Sequence, residues 1–271
     1  MWDDLIQMFS YPFMTRALIV GILVSLCAAV LGVTLVLKRY SMIGDGLSHV
    51  GFGALAVAAA FHIAPLYLAI PVVFVAALVL LRISENSKIK GDAAIALFST
   101  SALAIGVMIV SMTSGMNADL NNYMFGSILA MSEEDVRLSV ILTLAVLVLY
   151  VLFYHKIFAV TFDETFAKAT GVKVELYRTV LAFLIAITIV LGMRMMGALL
   201  ISSLIIFPAL TAMRVCKDFK SVIICSLILA MVSFTLGLAL SYFLATPTGA
   251  SIVVVDMVFF LFFFIAGRKQ G

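Results

Sequence analysis

The residues best placed to do chemistry stand in one short stretch, Ser41-Met42-Ile43-Gly44-Asp45-Gly46-Leu47-Ser48-His49-Val50, flanked by long apolar runs. On a helix starting near Gly44, Asp45 and His49 are i and i+4, so a carboxylate and an imidazole share one face. That donor pair suits a borderline divalent cation such as zinc, or manganese when more oxygen donors join. A structural reading is open too: Asp45 caps the helix, the glycines form a turn, and His49 is a hydrogen-bonded helix residue. An ionisable group at membrane depth costs roughly 2.5–3.5 kcal/mol, so each one implies a function or a partner. Asp256, six residues into the last apolar run, either lines a path or pairs with Arg194 or a backbone donor of a neighbouring helix. His62 and His155 read as interfacial residues, and Met193, Met195 and Met196 as apolar packing.

A second informative stretch is Val160–Lys173. Asp163 and Glu164 open it as a helical first turn would. Phe162, Phe166 and Ala169 recur at spacings of four and three, which makes one apolar stripe, and Gly171 stands where a helix ends. This pattern predicts a short amphipathic helix. Such a helix rests on lipid headgroups or inserts into a groove of a cytoplasmic partner. Acid groups at its start weigh against an anionic leaflet.

The elements that must position these residues follow from composition. Of 271 residues, 65% are hydrophobic and 11% charged, and the mean hydropathy is +1.25. A soluble domain carries about 25% charged residues, so most of this surface must face lipid. Nine segments are long and apolar enough to cross a core of roughly 30 Å: about 14–37, 45–61, 66–82, 92–113, 136–154, 176–196, 197–213, 220–244 and 251–267. The second begins with polar residues. The seventh is short, holds Pro208 and follows its predecessor without a polar linker, so eight or nine crossings are expected. The fold class is all-α integral membrane, a polytopic bundle forming one transmembrane domain over residues 1–271. Placing the N-terminus outside puts the seventeen Lys and Arg on the inner side, except Arg16, Arg137 and Arg194. The C-terminus is then cytoplasmic. The net charge of +3 thus reads as membrane orientation, and no nucleic-acid partner is expected. The longest hydrophilic stretch, about 155–178, lies inside. Cys27, Cys216 and Cys225 are scattered singly, and the N-terminal run reads as a permanent span rather than a cleaved leader. Gly51-Phe-Gly-Ala54 reads as close helix packing through small residues. No nucleotide-binding or hydrolase motif is visible, so no enzymatic activity is expected of the chain itself.

Taken together, these stretches resemble the metal-ion family of ABC transporter permeases, which carry zinc, manganese or iron into bacteria. Ser41–His49 is similar to the family's S-x-x-G-D-[AG]-[IL]-[SA]-H segment, Asn122–Ala130 to its L-F-G-[NS]-[IL]-L segment, and Phe162–Val174 to its inner loop. Gly197–Leu204 with Pro208-Ala-Leu-Thr-Ala212 resembles a fourth segment, with Leu210 in place of the usual alanine. The resemblance runs essentially end to end. It implies a type II-importer-like bundle in a bacterial plasma membrane, with a cytoplasmic coupling helix formed by Phe162, Asp163, Glu164, Phe166, Ala167, Ala169 and Gly171. It implies Asp45 and His49 as ligands for the transported cation, with no permanently bound cofactor. The implied partners are two copies of a cytoplasmic ATP-binding cassette ATPase, a second copy of this chain, and an external metal-binding protein. The turn Ala245–Ser251 looks most like the zinc branch. Two rivals stand beside it. A secondary transporter needs inverted repeats or charges in several spans. An intramembrane metalloprotease needs an HExxH-type pair, and the three histidines are far apart.

Overall fold

Runs of apolar residues without water to satisfy their backbone groups must close those bonds internally, and helices do so within one segment. The computed structural model describes residues 10–86, 91–113 and 133–267, and these form helices joined by short turns. They are α1 (Pro12–Leu37), α2 (Ile43–Ala60), α3 (Pro65–Asn86), α4 (Gly91–Met112), α5 (Glu133–Leu152), α6 (Tyr154–Phe162), α7 (Glu164–Ala169), α8 (Val174–Met196), α9 (Ala198–Val215), α10 (Phe219–Leu244) and α11 (Thr248–Gly267). Eight of them are long and apolar enough to span a membrane. A ninth crossing arises if α5 and α6, bent by 69° at Phe153, count as one broken span. The segment 122–130, and the charges Lys88, Lys90, Asp119, Arg268 and Lys269, lie outside the described residues.

The bundle is layered. Most of α1, α2 and α8 is buried, whereas α4 and α11 turn most of their surface outward. Because lipid tails are as apolar as leucine, helices associate through close packing of small residues. The Gly51–Ala54 run does this. A Cβ on Gly53 would stand 2.7 Å from the Ala102 carbonyl oxygen, and one on Gly51 would stand 2.7 Å from the Met193 methyl. A Cβ on Gly32 of α1 would stand closer still to the Ile205 carbonyl oxygen of α9, at 2.0 Å.

The unlinked seventh segment is a separate helix. Gly197 alone divides α8 from α9, with φ 88° and ψ 159°, a conformation that glycine adopts and side chains do not. The chain folds back there: a Cβ on Gly192 would lie 2.4 Å from Ile201 Cδ1, whereas nine residues of straight helix span about 13.5 Å. Pro208 sits inside α9 without ending it.

Two ion-pair groups mark opposite ends of α1. Arg16 binds Glu133 at one end, and Lys38 binds Glu164 at the other. Twenty-two residues of helix span about 33 Å, close to a bilayer core.

Candidate functional site

Helix α2 begins at Ile43 with Met42 as its N-cap, so Asp45 lies within the first turn. Its carboxylate does not cap the helix, which corrects the structural reading of this residue. The glycines beside it also lie inside the helix rather than in a turn. Gly44 faces Ile205 of α9, and a Cβ there would meet its Cδ1 at 2.9 Å. Gly46 faces Ile95 of α4, 2.5 Å from a Cβ. Two neighbouring helices thus close on α2 from either side of Asp45, and a side chain at either glycine would meet an isoleucine of the neighbouring helix.

Asp45 and His49 do share a face. His49 Nε2 stands 3.8 Å from Asp45 Oδ2, and the two side chains are 24% and 45% exposed. Ser202 of α9 reaches Asp45 Oδ1 at 3.5 Å, a long contact that places a third oxygen beside the pair. Ser48 turns away and donates to the Asp45 carbonyl at 2.7 Å. Among the described residues, no group of three His, Cys, Asp or Glu side chains converges as a metal site. A carboxylate and one imidazole leave two positions of a four-coordinate cation open.

Asp256 is buried on α11, and its partner is not Arg194. It accepts a hydrogen bond from Ser203 Oγ at 3.2 Å. The adjacent serines 202 and 203 therefore connect α9 to both deep carboxylates, a link that sequence spacing missed. The visible signal was a Ser-Ser pair inside an apolar run. Arg194 lines a cavity with Pro65, Tyr67 and Leu138, far along the chain from Asp256. His62 and His155 are exposed, and Met193, Met195 and Met196 are buried in the core, as their surroundings in the sequence suggested.

The loop after α5 is not one helix. Extended backbone at Asp163 (φ −151°, ψ 99°) separates α6 from α7. Asp163 caps α7 by accepting from the Phe166 amide at 2.9 Å. At the other end Gly171 takes φ 81°. Its amide donates to Lys168 and that of Val172 to Ala167, the paired bonds of a Schellman motif. Phe162, Phe166 and Ala169 are all exposed, whereas Ala167 is buried against Val160 and Val174. The Phe162 and Phe158 rings pack tilted against each other at 4.8 Å, and both meet the buried Phe219 of α10, so the exposed aromatic face of α6 is anchored on α10. Glu164 instead turns inward, to Lys38 of α1 and Arg178 of α8.

Against known proteins, residues 10–267 match the model of the ABC 3 transport family. The chain belongs to that family. A "Probable iron transport system membrane protein" of Haemophilus influenzae is 33% identical over the whole chain and 96% of its own length. The "Manganese import system permease protein ScaB" of Streptococcus gordonii is 31% identical over the whole chain and 97% of its own. The "High-affinity zinc uptake system membrane protein ZnuB" of H. influenzae is 31% identical over 93% of the chain and 96% of its own. Among solved structures, PsaBC from Streptococcus pneumoniae in complex with Fab superposes with a TM-score of 0.87 at 31% identity, covering 97% of this chain and 95% of that one. The chain is thus a polytopic, all-α membrane permease of the ABC 3 transport family. Relatives named for iron, manganese and zinc stand at nearly equal identity, so family membership does not single out the zinc branch.

Proposed function

We propose that the chain is the membrane-spanning subunit of an ATP-driven importer for divalent metal cations in a bacterial plasma membrane, with zinc as first choice. The observation that carries this reading is the Asp45/His49 pair, two metal-ligand types on one face and partly open to the outside of the bundle. Polar groups on such a face cannot rest against lipid tails without cost, so protein or water must cover them. A second copy of the chain is the natural cover. Its own Asp45 and His49 would complete a shared coordination shell, with Ser202 adding an oxygen. An incomplete site in each copy also suits transport, because a cation held too tightly would not leave.

The exposed Phe162 and Phe166 would dock a cytoplasmic ATP-binding cassette ATPase, one per copy. Nucleotide-driven closure of the ATPases would shift the loop helices and reopen the path inward. An external metal-binding protein would deliver the cation. The turn Ala245–Ser251 supports zinc over manganese and iron only by its resemblance to the zinc branch.

The test is uptake by proteoliposomes holding the permease and its ATPase. Zinc, manganese and iron are offered singly and in competition, with Asp45→Ala and His49→Ala variants alongside. Expected are metal-stimulated ATP hydrolysis, preference for zinc, and loss of uptake in both variants with assembly intact. Uptake that persists without nucleotide would instead identify a secondary transporter, and a preference for manganese or iron would move the chain to another branch.

A further inference from the structure

Two sets of contacts hold α7 to the bundle. One is a small apolar cluster of Val160, Ala167 and Val174, separate from the main core. The other is charged. The two Glu164 carboxylate oxygens bind different helices, Oε1 taking Lys38 Nζ at the end of α1 and Oε2 taking Arg178 Nη2 of α8 at 2.8 Å. Arg178 Nη1 also binds Glu175 at 3.0 Å. The Lys38 and Arg178 side chains are only 8% and 5% exposed. Buried cations of this kind are costly to leave unpaired, so the network holds its geometry strongly.

From Lys38 two short routes lead to the candidate metal pair. Along the chain, the turn after α1 is closed by Tyr40 N to Leu35 O at 2.8 Å and Ile43 N to Tyr40 O at 3.0 Å, and Asp45 follows within α2's first turn. Across the bundle, Gly32 of α1 lies against the Ile205 backbone, and Ile205 is one turn from Ser202, which touches Asp45. The first route runs through hydrogen-bonded turns and the second through close helix packing.

We infer that Glu164 is a mechanical clamp: it ties the docking helix to the ends of α1 and α8, so that displacement of α7 is passed to the Asp45/His49 region. This rests on the proposed reading of α7 as the ATPase-docking helix. Lys38, Arg178 and Glu175 become positioning residues for transport, with no contact to the cation. Glu164, grouped by resemblance with the docking residues, faces the permease rather than the partner.

The experiment compares wild type with Glu164→Gln, Lys38→Met and the conservative Lys38→Arg. In proteoliposomes with the ATPase, the readout is zinc transported per ATP hydrolysed. In nanodiscs with the permease alone, it is amide exchange over residues 164–172. Expected for Glu164→Gln and Lys38→Met are retained ATPase co-purification, zinc per ATP reduced roughly fivefold or more, and faster exchange in α7. Lys38→Arg should keep both near wild type. A role as mere structural support predicts less complex with an unchanged ratio, and that unchanged ratio overturns the clamp whatever the exchange shows. If wild-type permease brings down no ATPase, the proposed function fails, and unchanged exchange in the variants then overturns the clamp independently.

Discussion

At the scale of single residues, Asp45 stands out because its neighbours have no side chains. Gly44 and Gly46 let α9 and α4 approach, and the carboxylate then meets Ser202 of α9 with one oxygen and faces His49 with the other. Asp45→Asn keeps size and hydrogen bonding but removes the charge a cation needs. It should lower uptake by roughly tenfold or more while leaving expression unchanged, measured as zinc accumulation in cells. Asp256 is a contrasting case. It is fully buried and held by Ser203, so Asp256→Asn, which can keep that bond, should leave uptake close to wild type. A loss as deep as that of Asp45→Asn would place Asp256 in the path.

At the scale of elements, two caps decide how the loops before α8 and α10 are held. Gly171 ends α7 with positive φ and open space around it. Gly171→Val meets no clash, yet the left-handed backbone costs a β-branched residue about 1–2 kcal/mol. Faster amide exchange across residues 164–172 is expected, with the transmembrane helices unaffected. Asp218 caps α10 by accepting from the Ser221 amide at 2.9 Å. That backbone bond, foremost, holds its carboxyl below the usual range, with a smaller contribution from Lys220. A lowered carboxyl pKa stabilises the fold above the unfolded value and loses that effect as pH falls through the folded one. Protection of α10's first turn should therefore fade on acidification in wild type and be insensitive to pH in Asp218→Asn. The aromatic face is the element-scale test of docking. Phe166→Asp should abolish ATPase co-purification without altering the permease's own thermal stability.

At the scale of the whole molecule, the proposed shared shell requires two copies to meet at the open Asp45/His49 pair. Met42 precedes Asp45 by nearly one helical turn and is half exposed, as is Leu199 one turn before Ser202. With Cys216 and Cys225 replaced by serine, cysteines at these two positions should cross-link two copies in native membranes. A chain that stays monomeric under oxidation would count against the shared shell. The close α2–α4 packing sets a second expectation. Gly53→Val would drive a side chain into the Ala102 carbonyl, and lowered stability of about 1–3 kcal/mol is expected from thermal denaturation in detergent.

The sequence by itself determined the nine apolar segments, because the length and hydropathy needed to cross a bilayer are local properties. It also determined that Asp45 and His49 share a face, since i and i+4 spacing holds wherever the helix sits. It determined the ends of α7, whose Asp163 and Gly171 act on the backbone of their own turn. The tertiary structure decided what depends on residues distant in the chain. It showed α2 starting before Asp45, so that the acid is not a cap, and it brought Ser202 and Ser203 to two different carboxylates. It broke the expected single stripe at Asp163, leaving Phe162, packed on Phe219, and Phe166 exposed on two different helices. It also turned Glu164 inward to Lys38 and Arg178. No periodicity in the sequence records those ion pairs, because their energy lies in contacts between helices that meet only when the bundle forms.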